Sequence, residues 1–266
     1  ATMYKTLKIC LTILSLLILY LLFKPVPVDP VSWTSTPFQG YEGIFSVNQR
    51  LANLKIIPLN NEEAPEHIVI AKDGLLYTTV VSGNILRMTK EGENQEVFVN
   101  TGGRVLGFDF DAEGNLIAAD SMKGLLSISP DKKITLLTDR VGDSPILYAD
   151  GVVVAKSGKI YFTDASTRFA PSVWGGTFES SILDILEQSC TGRLLVYDPA
   201  TRITSILAKG FSFANGIALS QDEKFLFVNE TGKYRIWKLS IEAKDLDISS
   251  PNAEAVLLLE NLPGYP

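Results

Sequence analysis

The sequence predicts an all-β fold of the β-propeller class. One pattern recurs four times through residues 68–230: an apolar stretch, a tight turn and a β-rich segment that ends near Asp or Glu. The turn glycines Gly74, Gly114 and Gly158 lie 40 and 44 residues apart. This spacing is typical of four-stranded propeller blades. Each repeat is therefore expected to form one antiparallel sheet, and successive sheets to pack around a common axis.

Two further strands complete each repeat. After the hairpin comes a strand that opens with Gly or an aromatic residue, and an outer apolar strand follows. Asp-Gly, Glu-Gly, Ser-Gly and Asp-Pro sequences occupy the points where the chain reverses. Four such blades are visible between about residues 66 and 260. An arc of four blades leaves two sheet edges unpaired, so the sequence predicts an incomplete propeller.

Composition and charge exclude some functions. The 266 residues are 46% hydrophobic, which suffices for one sizeable core. A net charge of -6 without a basic stripe excludes nucleic acid as an expected partner. Cys10 and Cys190 are the two cysteines, and their positions predict neither an intramolecular disulfide nor a metal site.

The N-terminal segment predicts a membrane anchor. Residues 7–23 are apolar apart from Lys8, one Thr and one Ser, and Lys5 precedes them. A Pro-rich sequence begins at Lys24 where a signal-peptidase site would need small residues, so retention is favoured over cleavage. The predicted organisation is a transmembrane signal anchor at 1–24, a Pro-rich stem at 25–37 and the propeller at 38–266. The lysines place the propeller on the luminal or extracytoplasmic side of a single-pass protein.

The residues before each innermost strand are the candidates for a site at the channel mouth. Glu66, Asp150 and Asn215 occupy equivalent positions in three repeats. Oxygen ligands that converge on one axis suit a hard cation, so these three residues predict a calcium site. The alternative is that Asp-Gly and Asn-Gly serve only as turn sequences.

His67 is the only histidine, so mechanisms that need two histidines are excluded. No Ser/His/Asp or Cys/His set is available, and triad-type hydrolysis therefore has no candidates. His67 lies next to Glu66 and is a candidate for the substrate pocket. The alternative is a packed or solvated side chain.

An insertion at residues 165–191 interrupts the third repeat. Apolar residues at 178, 182, 183, 185 and 186 predict one helical face, and acidic residues at 179, 184 and 187 the opposite one. Two interpretations stay open, a helix that caps the blade and a lid over the channel mouth. In the second, Arg168, Phe169 and Trp174 line the substrate pocket.

Six stretches carry a resemblance to a known family. They are Gly103-Arg-Val-Leu-Gly107, Ala119-Asp-Ser-Met-Lys-Gly124, Ile160-Tyr-Phe-Thr-Asp-Ala-Ser166, Gly192-Arg-Leu-Leu-Val-Tyr-Asp198, Phe213-Ala-Asn-Gly216 and Asn261-Leu-Pro-Gly-Tyr-Pro266. With them, the chain from about Pro37 onward resembles the strictosidine synthase-like family, which includes the adipocyte plasma membrane-associated protein and is related to the paraoxonases and gluconolactonases.

The resemblance implies a six-bladed propeller, so two further blades are expected beyond Pro266. In metal-dependent relatives a calcium ion is held by residues that match Glu66 and Asn215, by an Asn in an Asn-Asp pair and by a later Asp-Asn pair. In this chain Ala149 stands in place of that Asn, and the later pair lies beyond the chain. The catalytic Glu of the condensing synthases also falls beyond Pro266, so the catalytic residues are unknown.

Two classes of function remain. The first is an enzyme that acts on a small molecule, with an ester or lactone hydrolase preferred because a channel cation would polarise a carbonyl. An amine-aldehyde condensing synthase is the alternative within this class. The second class is a membrane-anchored binding or scaffold propeller without turnover.

Overall fold

A computed structural model of the chain describes residues 2–38, 40–250 and 254–266. Helix α1 (Thr2–Phe23) precedes an all-β body, and helix α2 (Thr177–Glu187) lies within it. Short 3₁₀ turns occupy Gly43–Phe45 and Thr231–Lys233.

The β-strands form four main sheets that follow one another along the chain. The first sheet contains β1 (Ile68–Ile70), β2 (Leu76–Thr79), β3 (Asn84–Met88) and β4 (Glu96–Asn100). The second contains β5 (Val105–Phe110), β6 (Leu116–Asp120), β7 (Gly124–Ile128) and β8 (Ile134–Thr138). A hairpin of β9 (Arg140–Val141) and β10 (Ser144–Pro145) follows. The third contains β11 (Ala149–Val154), β12 (Ile160–Asp164), β13 (Gly192–Asp198) and β14 (Ile203–Phe211). The fourth contains β15 (Ala214–Leu219), β16 (Phe225–Glu230) and β17 (Arg235–Ser240). Two strands remain: β18 (Leu246–Asp247) joins the third sheet and β19 (Ala255–Leu259) completes the fourth.

The propeller prediction is confirmed. Neighbouring strands of each four-stranded meander are antiparallel and follow chain order. Gly74, Gly114 and Gly158 occupy the hairpins between the first two strands of three sheets, each with φ between +82° and +85°. Strand β18 was not predicted, and it pairs in parallel with the outer strand β14. The number of blades in the natural protein stays a prediction.

The core lies between adjacent sheets. Neighbouring residues on one strand face opposite sides of their sheet. Leu116 packs with Ile85 and Phe98 of the first sheet, whereas Ile117 packs with Phe162 of the third. Each of these buried side chains contributes roughly 1.5–3 kcal/mol to folding. The alternation explains why the second strand of each repeat is apolar on both faces.

A buried carboxylate ends the second strand of three sheets. Each one accepts a hydrogen bond from a backbone N–H just before the innermost strand of the same sheet. The pairs are Asp120 with Arg104 N (3.1 Å), Asp164 with Tyr148 N (2.9 Å) and Glu230 with Ser212 N (3.1 Å). In two sheets an arginine on the third strand donates to the same group, Arg193 to Asp164 (3.1 Å) and Arg235 to Glu230 (2.7 Å). The acids that recur in the sequence therefore hold each entry into a blade.

The segment between α1 and the first sheet lies against the propeller. The Asp29 N–H donates to the Glu187 carboxylate (3.0 Å), and the Val31 N–H donates to the Glu187 carbonyl (2.7 Å). Further along, the side-chain amide of Asn261 donates to the Pro37 carbonyl (2.9 Å). The predicted stem is thus docked on the body at both ends.

Helix α1 is long and apolar enough to cross a bilayer. Residues Met3–Phe23 have a mean hydropathy of 2.3, and none of this segment is buried against the body. About 20 apolar residues are needed to span the hydrocarbon core. The helix matches the predicted anchor in position and length.

Replacing Asp164 should destabilise the propeller strongly. Asp164→Ala leaves the buried Arg193 guanidinium without its counter-ion, which typically costs about 3–5 kcal/mol. Urea denaturation of detergent-solubilised protein measures the loss. The matched control is Asp245→Ala, because the Lys209–Asp245 pair is solvent-exposed and should contribute less than about 1 kcal/mol. Equal effects of the two substitutions would contradict a structural role for the buried pair.

Candidate functional site

The innermost strands of three sheets begin with an irregularity. The register shifts between Val105 and Gly107 in β5, and between Ala149 and Val152 in β11. Strand β15 shows the same shift just after Ala214. A β-bulge turns side chains out of the regular alternation and often occurs next to functional sites. The residues within these shifts include two of the predicted ligands.

Glycines let these innermost strands approach one another closely. A Cβ atom on Gly107 would lie 2.6 Å from the Asp150 carbonyl oxygen. A Cβ atom on Gly151 would lie 2.8 Å from the Asn215 carbonyl oxygen. The Thr163 hydroxyl bridges the same two strands, because it accepts from Gly151 N (2.8 Å) and donates to Asn215 O (2.7 Å). Strands β5, β11 and β15 therefore lie side by side in a continuous wall. The region at and just before the starts of these strands, with Glu66, Arg104, Asp150 and Asn215, is called the mouth below.

The structure brings Glu66 and Asp150 into one electrostatic cluster. The Glu66 side chain is 48% exposed and its carboxylate lies 3.6 Å from the Arg104 guanidinium. Asp150 is 6% exposed. Burial raises the pKa of the Asp150 carboxyl well above its usual range, the Glu66 charge raises it further, and Arg104 opposes the shift. Asn215 is half-buried on the adjoining strand.

Arg104 is the member of this cluster that the sequence did not reveal. It is 4% exposed, and Nη2 donates to the Ala64 carbonyl (2.9 Å). Its Nε and Nη1 atoms are buried without a hydrogen-bond partner in the described part of the chain. Burial lowers the pKa of Arg104, and the charges of Glu66 and Asp150 oppose that shift. The signal was its position, since Arg104 precedes its innermost strand as Tyr148 precedes β11.

These side chains fit a calcium ion poorly. The Arg104 guanidinium places a positive charge beside Glu66, where a cation would need the carboxylate. Among residues 2–38, 40–250 and 254–266, no group of three or more His, Cys, Asp or Glu side chains is arranged to hold a metal. Ala149 adds no ligand. The predicted calcium site stays a prediction, and the chemistry below is derived without it.

An apolar cluster surrounds the polar one and contacts helix α2. Tyr148 and Phe213 meet edge to face with ring centroids 5.2 Å apart, and Leu106 and Ile185 pack with them. The Tyr148 hydroxyl donates to the Thr177 carbonyl at the start of α2 (2.7 Å). Burial raises the pKa of this phenol, so it stays protonated and able to donate. Helix α2 is thus held against these residues, and whether it acts as a lid or as a cap stays a prediction.

Helix α2 turns part of its acidic face toward the body. Asp184 and Glu187 are completely buried, whereas Phe178 is 71% and Leu186 is 62% exposed. The sequence predicted the two faces but not which of them would pack inward. One Glu187 carboxylate oxygen accepts from the Asp29 N–H of the stem and lies 3.0 Å from the Arg168 guanidinium.

Asp184 is buried without a hydrogen-bond partner among the described residues. Burial raises the pKa of its carboxyl to about 7. The charges of Glu187 and Asp164 raise it further. Near neutral pH this group is therefore divided between its protonated and ionised forms.

The four predicted pocket residues lie in two places. His67 packs edge to face on Phe108 (5.1 Å), and burial lowers the pKa of its imidazole. Within the insertion, Arg168 lies over the ring of Phe169 (5.3 Å), which meets Trp174 edge to face (5.6 Å). Phe169 is fully buried, whereas Arg168 and Trp174 reach the surface. Whether any of the four contacts a substrate stays a prediction.

A cleft of about 530 Å³ lies elsewhere, between the stem and the fourth sheet. Its lining includes Trp33, Phe38, Lys233, Tyr234 and Glu260. None of the mouth residues contributes to it. The cleft is open and lacks the buried charges of the mouth, so the mouth is the better candidate for chemistry.

Four successive blade-like antiparallel sheets define a protein of the β-propeller class. A solved gluconolactonase from Xanthomonas campestris superposes with a TM-score of 0.55, at 19% identity over 69% of this chain and 60% of that one. At this identity the likeness shows the fold alone. Family models for strictosidine synthase and for the strictosidine synthase-like N-terminal region match residues 150–244 and 43–88.

The chain belongs to the strictosidine synthase-like family. The Arabidopsis thaliana protein STRICTOSIDINE SYNTHASE-LIKE 7 is 36% identical over 263 residues, which cover 96% of this chain and 67% of that protein. The adipocyte plasma membrane-associated protein of Rattus norvegicus is 28% identical over 259 residues, covering 90% and 64%. The chain spans between about half and two thirds of the length of the plant proteins STRICTOSIDINE SYNTHASE-LIKE 4, 6 and 7. Its apolar helix and these relatives indicate a membrane protein.

Replacing Asp184 should stabilise the protein more at alkaline than at acid pH. Below about pH 4 the carboxyl is protonated in both folded and unfolded chains, so its ionisation does not lower the stability there. As pH rises from 4 to 7, the unfolded chain ionises while the folded chain keeps its proton, so stability falls by up to about 4 kcal/mol. Asp184→Asn removes this loss. Melting temperatures at pH 5 and pH 8 measure it, with the exposed Glu179→Gln as control; a gain that does not grow with pH would contradict the assignment.

Calcium should not bind measurably to the parent protein at the mouth. Arg104 already supplies the positive charge there, so calorimetry should show no binding up to about 1 mM, the weak end of protein calcium sites. Glu66→Gln and Asn215→Ala are the controls. Binding in the parent that both substitutions weaken would restore the calcium site and overturn the argument from Arg104.

Proposed function

We propose that the chain forms part of a membrane-anchored strictosidine synthase-like enzyme that hydrolyses small esters or lactones at the channel mouth. One observation carries the proposal. A buried carboxyl with a raised pKa, Asp150, lies in the field of a buried guanidinium, Arg104, that keeps two unpartnered N–H groups. Perturbed pKa values and unsatisfied donors in one cluster are typical of catalytic sites.

Asp150 acts as the general base. A raised pKa brings a carboxylate closer to neutral pH, where a base takes a proton more effectively. Asp150 removes a proton from water as the water oxygen bonds to the substrate carbonyl carbon. The same proton then passes to the alkoxide as the ester or lactone C–O bond breaks, and this returns Asp150 to its ionised form.

Arg104 stabilises the oxyanion. The carbonyl oxygen becomes negative as water adds, and donors placed in advance in a water-poor site stabilise that charge. The free Nε and Nη1 groups of Arg104 suit this role. Glu66 holds the Arg104 guanidinium in place through its ion pair. Its carboxylate is half-exposed and is assigned no proton transfer, so Glu66 is a positioning residue.

Helix α2 restricts access to the mouth. It is attached at Thr177 through Tyr148 and packs inward through Ile185. At its other end, the Gln188 side chain donates to the Gly232 carbonyl (2.8 Å). Limiting the entry of water strengthens the electrostatic interactions of Arg104 with a bound substrate.

The propeller is held on the luminal or extracytoplasmic face by α1. Lys5 and Lys8 on the N-terminal side of the apolar segment support this orientation, because positive charge is enriched on the cytoplasmic side of membrane helices. The membrane-associated relatives are in keeping with an anchor that is retained.

Aryl acetates and small lactones test the activity of the natural full-length protein. Asp150→Asn should reduce kcat/KM by about 10²–10⁴-fold, the usual contribution of a general base. In the parent, kcat/KM should fall as pH decreases through the pKa of Asp150. In the variant, kcat/KM should no longer show this decrease on the acid side. Asp139→Asn, which changes a carboxylate that is half-exposed, is the control.

Three outcomes would contradict the proposal. Full activity of Asp150→Asn would place the base elsewhere, and loss of activity on chelation of calcium would return the chemistry to a metal. Absence of turnover of every ester and lactone, with a folded protein, would favour a binding propeller.

A further inference from the structure

A row of apolar side chains projects from α2 into solvent. Phe178, Ile182 and Leu186 are spaced four residues apart and share one face of the helix. Val173 and Trp174 precede them on the adjoining loop. The five side chains, which together form the apolar ridge, are exposed by 71%, 40%, 62%, 72% and 36% respectively. Contiguous apolar surface of this kind marks an interaction site.

Helix α2 does have a face that packs against the body, and the apolar ridge lies on the opposite face. The packed face of α2 is fixed by Ile185 in the mouth and by Glu187, which binds Arg168 and the stem. That face also buries Asp184 without a partner among the described residues. Burying two carboxylates while exposing a phenylalanine and a leucine is unfavourable in water. The arrangement therefore indicates a partner that is itself apolar.

The stem places α2 next to the membrane. Asp29 and Val31 are bound to Glu187, the last residue of α2. Asp29 lies only six positions beyond Phe23, the last residue of α1, with five residues between them. A chain of that length reaches at most about 20 Å. The C-terminal end of α2 therefore lies within about 20 Å of the point where α1 leaves the bilayer.

We propose that the apolar ridge rests in the interface of the same bilayer that holds α1. Interfacial helices bury an apolar face to a depth of about 5–10 Å. Trp174 suits the headgroup level, where tryptophan is enriched. Arg168, whose side chain is 45% exposed beside the stem, would meet lipid phosphates. The proposal rests on the membrane insertion of α1 proposed above.

This docking defines the substrate class more narrowly. The face of α2 opposite the ridge covers the mouth through Thr177 and Ile185. A ridge in the bilayer therefore places the mouth close to the headgroups. Substrates that partition into the interface, such as esters or lactones with an alkyl chain, would reach Asp150 without crossing bulk water.

Site-specific fluorescence in vesicles tests the docking. The full-length protein is reconstituted into phosphatidylcholine vesicles that contain a nitroxide-labelled lipid. An environment-sensitive fluorophore is attached to one cysteine at a time, after Cys190→Ser and, where needed, Cys10→Ser. The test site is Ile182→Cys. Cys10 within α1 is the positive control, and Ser157→Cys, in the hairpin at the opposite end of the third sheet, is the negative control.

The label at residue 182 should be quenched by the lipid nitroxide nearly as strongly as the label at Cys10, and several times more than the label at Ser157. Its emission should shift to the blue. In a second variant, Phe178→Glu with Leu186→Glu should restore its accessibility to aqueous iodide while the melting temperature stays close to that of the parent.

Quenching at residue 182 equal to that at Ser157, with Cys10 quenched, would overturn the docking and leave the anchor intact. Protection at residue 182 from both lipid nitroxide and iodide would also overturn it, because protein would then cover the ridge. An unquenched label at Cys10 would show instead that α1 is not inserted, and the proposal would fail with its premise.

Discussion

The buried carboxylate that ends the second strand of a blade fixes the position of the candidate site. Asp120 accepts from the Arg104 N–H, and Asp164 accepts from the Tyr148 N–H. Arg104 and Tyr148 are the residues whose side chains then form the polar and apolar parts of the mouth. The functional side chains therefore stand on backbone held by hydrogen bonds to charged groups, which are stronger than neutral ones. A small displacement of these entry segments would move the guanidinium of Arg104 away from Glu66.

Buried acids near the propeller axis can be stabilised by a metal ion or by an arginine side chain. Converging carboxylates repel one another, so a site of this kind needs a cation or a proton. In this chain an arginine supplies the positive charge, and burial raises the pKa of the Asp150 carboxyl well above its usual range. The guanidinium is covalently part of the fold, so its charge does not depend on the supply of an ion. It also offers directed N–H groups, whereas a metal ion offers open coordination positions.

Much of the fold could be predicted because the repeat is a direct consequence of strand geometry. Apolar residues on both faces of the second strand and glycine at positive φ in three of the hairpins leave clear signals at fixed spacing. Strand β18 left none, because two residues in parallel pairing carry no pattern of their own. For α2 the helix and its two faces were predicted, but periodicity alone did not indicate which face would pack against the body. Arg104 was missed because the repeats were compared for oxygen ligands, and a cation at the same position was not considered.

The docked stem constrains how the molecule as a whole can move. A free Pro-rich linker would let the propeller rotate and tilt above the membrane. In this chain Asp29 and Val31 are bound to α2 and Pro37 is bound by Asn261. The stem is therefore fixed to the propeller and does not act as a flexible linker. With α1 inserted as proposed, the body would be confined to lateral motion in the plane of the membrane. A molecule dissolved in that plane would then reach the proposed site by a two-dimensional search.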